Sequence, residues 1–237
     1  MLAFSIDIDW AHEEVITDTL SLFEKYDVKC TIFSTHGSYA VIKSNRKLFE
    51  VAIHPNFNPF LTGTDKLVDD VLDELIEIHP DAKGVRTHSL MQSTGLNQKF
   101  ADKGLIYDAN TLLPYQTGLK PIRSWNGMIR IPYNWEDDVH WSYGYSFDDC
   151  RMNLHDNGLV IFDFHPIHIF LNTDNKYRYN EAKNYYNEPE KLINYRNTEI
   201  KGTRDLLISL LDYIHKNRIE NKTLLELANA FIYGGTV

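Results

Sequence analysis

The chain has 237 residues, 43% of them hydrophobic and 13% aromatic, enough for one large domain with a substantial core. Its 24 basic and 33 acidic residues leave a net charge of −9 without a basic run, which argues against nucleic acid or an anionic membrane as partner. It lacks an apolar stretch of ~20 residues and an amino-terminal signal pattern, and Cys30 and Cys150 form no redox or metal motif, so a cytoplasmic protein in a reduced compartment is expected.

Residues 4–10 read as a buried strand whose far end carries two acids, Asp7 and Asp9. Residues two apart on a strand face the same way, which would set the two carboxylates side by side. Such crowding is favourable with a cation or a shared proton between them; capping of the following helix is the competing reading. Apolar residues then recur at helical spacing from Glu13 to Tyr26, and residues 29–34 form a short β-branched run. A helix is expected over about 38–48, a strand over 49–53, and an amphipathic helix that starts near Thr64 and carries Leu67, Leu72, Leu75 and Ile78. Short strands at 84–87, 104–107, 128–132 and 159–164 follow, with a helical segment between the first two. Residues from about 172 to 200 are rich in Asn, Tyr, Lys and Glu without a period, and read as an irregular excursion on the body. A long helix from 203 to 217 comes next, and Thr223 with Glu226 forms a capping box for the last one. Alternation of this kind over a single domain, 1–237, predicts a parallel α/β sheet, open or closed into a barrel, with its chemistry at the carboxyl ends of the strands.

The candidate residues collect where that rule puts them. Asp7 and Asp9 end the first strand, His54 follows the strand at 49–53, Arg86 and His88 end the strand at 84, and His165 ends the strand at 159–164. A His before a Pro can simply terminate a strand, and Arg86 can be a structural ion pair. Four strand ends with acid/base and ligand residue types favour an enzyme.

Taken in order, these residues resemble the polysaccharide deacetylase family of carbohydrate esterases, over about residues 2–170. The resemblance implies a distorted (β/α) barrel of about seven parallel strands. It matches Asp7 to the family's base and Asp9 to a metal-binding acid. His54 matches a metal-binding His whose usual partner four residues on is Asn58 here, and Arg86 matches the Arg that orients the base. Asp138 and Trp141 match an Asp-x-x-Trp motif, and His165 the acid. The phrases around Asn56, His88 and His165-Pro166-Ile167-His168 are similar to a subgroup linked to bacterial O-antigen biosynthesis.

The resemblance therefore implies removal of an N-acetyl or similar acyl group from a sugar, free or linked to a nucleotide or lipid. It implies a divalent metal, zinc first with Co, Ni or Mn as alternatives, on Asp9, His54 and Asn58. Asn58 is the expected third ligand, with His88 as the substitute. Asp7, Arg86 and His165 are the expected catalytic residues. Trp10, His88, Asp138, Trp141 and His168 are expected at the substrate, with Asp138 also supporting His165. Tyr177, Tyr179, Tyr185, Tyr186 and Tyr195 offer rings for sugar faces or for packing. A metal-deficient sugar-binding relative, and a phosphatase using the Asp7/Asp9 pair, are the alternatives.

Overall fold

The computed structural model describes residues 1–63 and 65–234; Thr64, expected to cap a helix, lies outside them. Among the described residues, ten strands form one sheet: β1 (Leu2–Asp7), β2 (Cys30–Ser34), β3 (Phe49–Ile53), β4 (Gly84–Val85), β5 (Tyr107–Asp108), β6 (Ile122–Arg123), β7 (Ile129–Arg130), β8 (Trp135–Glu136), β9 (Val160–Phe164) and β10 (Asn221–Lys222). Their order is β6-β7-β5-β4-β3-β2-β1-β9-β8, with β10 paired to the start of β1. All pairings are parallel except that of β6 with β7. The path ends at β6 and β8, and β7, next to β6, is separated from β8 by only residues 131–134, so the sheet curls into the expected distorted barrel of mostly parallel strands.

The pleat sorts the side chains. Phe4, Ile6, Phe162 and Phe164 point outward, where they pack with Val15, Ile16 and Phe23 of the helix Glu13–Tyr26 and Leu207 and Leu211 of the helix Thr203–Asn217. Phe4 and Phe162 stack at 5.5 Å. The alternate residues face inward, where Ala3, Leu159 and Ile161 join Phe33, Ala52, Tyr107 and Ile129 in a second cluster. That sorting also puts Ser5, Asp7 and Asp163 inside the barrel.

The last helix, Leu224–Ile232, closes the amino-terminal mouth. Its predicted capping box is present, the Thr223 hydroxyl accepting from Glu226 and the Glu226 carboxylate from Thr223. The Leu224 and Leu225 amides donate to Thr31 Oγ1 and Glu50 Oε2 at the starts of β2 and β3. Leu224, Leu227 and Ala228 fill the barrel floor. With one end sealed, the carboxyl ends of the strands are the open end.

Several elements are shorter than their pattern suggests. The helix expected over 38–48 is one turn, Tyr39–Ile42, because Asn45 turns its side chain onto the Lys47 amide and diverts the backbone. The excursion holds the helices Lys176–Ala182 and Pro189–Leu192 with 3-10 turns between and after them. Both cysteines are free and buried. Among the described residues, no helix is long and apolar enough to cross a membrane.

Gly84 is required by close approach. A Cβ there would stand 2.0 Å from the Tyr107 ring, which lies across the neighbouring strand with its hydroxyl donating to Glu50. Gly84→Ala therefore displaces a buried ring and is expected to cost about 1–3 kcal/mol. Urea denaturation checks this, and an unchanged midpoint would show that Tyr107 yields freely.

Candidate active site

β1 ends at Asp7, and the chain then turns through two consecutive non-glycine residues in the left-handed region, Asp9 at φ 40° and Trp10 at φ 57°. Such conformations cost roughly 1 kcal/mol or more each and persist where surrounding contacts enforce them. Here the Ala11 amide donates to Ile8, the Trp10 amide to Thr35 Oγ1, and the Tyr186 hydroxyl to the Asp9 carbonyl at 2.6 Å. The strand pleat therefore does not set Asp9 beside Asp7, as the spacing suggested. The turn brings Asp9 back over the barrel mouth.

His54, from the end of β3, meets both acids. Its Nε2 lies 3.2 Å from Asp9 Oδ1 and 3.6 Å from Asp7 Oδ2, yet neither ring nitrogen makes a hydrogen bond. His88 Nδ1 stands 3.1 Å from the same Asp9 oxygen. Asp9, His54 and His88 offer one donor atom each within 4.8 Å of one another. A buried imidazole without a hydrogen-bond partner is costly, and donors aimed at a common centre are what a cation requires. Two imidazoles and a carboxylate fit a divalent ion of the zinc type. Burial works to raise the Asp9 carboxyl, but His54 and His88 outweigh it and hold it well below the usual carboxylate range.

Beneath this group, Arg86 is fully buried between the Phe33 and Tyr133 rings, 4.3 and 4.2 Å from their centroids. Its Nη1 donates to Asp7 Oδ1 at 2.9 Å and also to Asp163 Oδ1, Nη2 donates to Ser5, and Nε donates to the Ala109 carbonyl. Burial opposes its charge, while Asp163 and Asp7 overcome burial and raise its pKa. One guanidinium shared by two buried carboxylates leaves one of them under-compensated. Burial pushes Asp163 up to about 7 against the pull of Arg86, and its Oδ2 has no partner among the described residues.

On the opposite side, His165 follows β9. Its backbone amide donates to Asp137 Oδ2 at 2.8 Å and its Nδ1 donates to Asp137 Oδ1 at 2.7 Å, which leaves Nε2 3.8 Å from Asp9 Oδ2. Burial disfavours the imidazolium, but the fully buried Asp137 carboxylate prevails and raises the His165 pKa well above 6.5. A cavity of about 570 Å³ opens over these groups. Asp9, Trp10, His88, Asp138, Trp141, His165 and His168 line it, faced by Lys176, Tyr179, Asn180, Lys183 and Tyr186 from the excursion.

A family model described as WbmS-like polysaccharide deacetylase matches residues 4–183. The chain belongs to this family. A crystal structure from Bordetella bronchiseptica, assigned as a polysaccharide deacetylase involved in O-antigen biosynthesis, is 39% identical to it, with a TM-score of 0.82 over 90% of each chain. The peptidoglycan deacetylase PdaC from Bacillus subtilis shares the fold at 14% identity and a TM-score of 0.53, over 98% of this chain and 92% of that one. A 4-alpha-glucanotransferase from Thermococcus litoralis also shares it, at 12% identity and a TM-score of 0.55, although this chain covers only 38% of that one. No curated protein matches.

Two of the expected roles bear directly on this geometry. Asn58, expected as third ligand, donates its side-chain nitrogen to Ser89 Oγ at 2.9 Å, while His88, expected at the substrate and as the substitute ligand, stands beside Asp9 and His54. Asn58 opens a short helix at Pro59, so its backbone follows that helix, while the bond to Ser89 braces the turn after His88. The support of His165 comes from Asp137, not Asp138. Asp138 lies in the cavity wall next to Glu136, whose burial and proximity to Asp138 raise its pKa well above 4.5. Sequence reasoning also missed Asp163, and it offered Tyr186 only as a ring, not as the donor to the Asp9 carbonyl. Asp163 was detectable as an acid inside an apolar strand, two residues before His165; Tyr186 has no local signal.

The shifted Asp163 makes stability depend on pH. The folded chain keeps its proton to about pH 7, whereas the unfolded chain releases it near 3.8, so its contribution is full at low pH and falls as pH rises between those values. The stability gap between wild type and Asp163→Asn is therefore expected to shrink from pH 5 to pH 7.5 in urea titrations. A constant gap would mean that Asp163 is ionised throughout.

Proposed function

We propose that this chain is a metal-dependent N-deacetylase that removes an acyl group from a sugar used in a bacterial surface polysaccharide. The observation that carries the reading is the convergence, at one barrel mouth, of an Asp9/His54/His88 donor group with an Arg86-held carboxylate on one side and an Asp137-held imidazole on the other. Zinc is the favoured ion by donor type, with cobalt, nickel and manganese as alternatives. The family and its O-antigen relative support the substrate class.

A divalent ion on Asp9, His54 and His88 supplies polarisation of the acyl carbonyl and a more acidic water. Asp7 accepts the proton of the attacking water, its Oδ1 fixed by Arg86 and its Oδ2 left toward the site. His165 enters as imidazolium and donates from Nε2 to the departing nitrogen, because Nδ1 is committed to Asp137. An amine must be protonated to leave, so the acid matters more for an amide than for an ester. Separate counter-ions, Arg86 for the base and Asp137 for the acid, let both charged forms coexist at one pH. Trp10, Trp141 and His168 line the cavity in which the sugar would sit.

A phosphatase built on the Asp7/Asp9 pair would need a lysine and further acids at the strand ends, and these positions hold His54, Arg86 and His165 instead. The metal-deficient binding reading rests on Asn58 and His88 standing where the family pattern has other residues; His88 within 3.1 Å of Asp9 supports a donor role for it instead.

Two measurements test the assignment. His88→Ala is expected to weaken metal binding by more than about tenfold in a chelator competition, with Asn58→Ala changing it by less than about threefold; the reverse ranking would return the third ligand to Asn58. Asp7→Asn and His165→Ala should each retain metal and lose on the order of 10²–10⁴ in acetate release from an N-acetyl sugar. Wild-type rates in both would overturn the mechanism.

A further inference from the structure

The excursion that faces the metal group sorts its cations in a way the reaction does not explain. Six basic residues lie between positions 176 and 201. Arg178 pairs with Asp174, Lys191 with Glu188, Arg196 with Asp18 and Lys201 with Asp148. Among the described residues, Lys176 and Lys183 reach no carboxylate within 4.0 Å. These two are also the excursion's only basic residues in the cavity wall. Nearby Glu181 takes the Tyr177 hydroxyl instead.

Lys176, Asn180 and Lys183 follow one another at i, i+4 and i+7 along the helix Lys176–Ala182 and the turn that continues it, so they share one face. All three line the cavity opposite Trp10 and His88, and Lys183 also sits over the Tyr179 ring at 5.9 Å. In a chain of net charge −9, two unpaired ammonium groups and a side-chain amide on one wall give a local donor surface against an acidic background. A neutral sugar would meet it through hydroxyl hydrogen bonds alone, an anion through charge as well.

We propose that the cavity takes an acyl sugar bearing an anionic substituent, a phosphate or a carboxylate, which docks on Lys176, Asn180 and Lys183 while the acyl group faces Asp7 and His165. This rests on the deacetylase reading for the orientation of the sugar, but the anion wall itself does not. The contacts are exposed, so each contributes modestly and is screened by salt.

The test uses the full-length, metal-loaded protein and three probes: N-acetylglucosamine, N-acetylglucosamine 1-phosphate and an N-acetylated hexosaminuronic acid. Binding is measured by calorimetry on the Asp7→Asn variant, and acetate release on the wild type. At least one anionic probe should bind about tenfold more tightly than the neutral sugar, and Lys176→Ala/Lys183→Ala together should remove most of that preference. Raising salt from about 0.05 to 0.5 M should erode it in the parent and not in the double variant. The phosphate and uronate arms show which anion is meant. Anionic binding that needs the lysines without acetate release from any probe would keep this inference and sink the deacetylase reading. Anionic probes that bind no tighter than the neutral sugar, or a preference that survives the double substitution, would overturn the inference even if acetate is released.

Discussion

A single buried guanidinium organises the barrel interior. Arg86 has no access to water and must be compensated from within, since an uncompensated buried charge costs several kcal/mol. Asp7, Asp163, Ser5 and the Ala109 carbonyl supply that compensation, and the Phe33 and Tyr133 faces cover the plane of the ion. Asp7 and Asp163 sit on neighbouring strands β1 and β9, so the charge cluster staples them across the inside of the sheet where apolar packing thins out. The arrangement serves position as much as stability: Asp7, the proposed base, is bonded to a guanidinium that is itself fixed through its other nitrogens, which keeps that carboxylate aimed.

The two ends of the barrel divide the remaining work. At the amino-terminal mouth, the helix Leu224–Ile232, Glu50 and Tyr107 close the floor with hydrogen bonds and apolar contact. At the carboxyl mouth the backbone leaves regular structure at once. Asp9 and Trp10, and then Ser89 and Leu90 after His88, are pairs of left-handed residues next to donor side chains. Regular strands would point these donors along the barrel wall. The strained turns redirect them over the mouth, and contacts from Tyr186, Thr35 and Asn58 keep the turns in place.

Much of this was legible from residue order. Strand-end placement found Asp7, His54, Arg86, His88 and His165 because the carboxyl-end rule depends only on where apolar runs stop. Roles that depend on geometry were less visible. Spacing places Asn58 one helical turn from His54, but the chain reaches only the start of a short helix there, and its amide turns to Ser89. The choice between Asp137 and Asp138 turns on which of two adjacent side chains faces β9, a difference of about 100° around one helix that composition cannot resolve. Asp163 is a different case. An acid embedded in Val160–Phe164 was a local inconsistency, and such inconsistencies mark functional or strained sites.

The fold itself constrains the chemistry little, since a deacetylase and a glucanotransferase both share it with this chain. What distinguishes the site is the donor set and the two counter-ions. His88, on the loop after the strand adjacent to His54's, joins His54 and Asp9, so two imidazoles and one carboxylate offer donor atoms within 4.8 Å of one another. A metal responds to donor type and distance and is indifferent to which loop delivers them. Without Arg86 or Asp137 the proposed base or acid would lose the partner that aims it, and the donor group alone could hold an ion without turning over an amide. Both counter-ions are present, each bonded to the residue proposed as base or acid, and the proposed hydrolysis depends on that pairing as much as on the donor set.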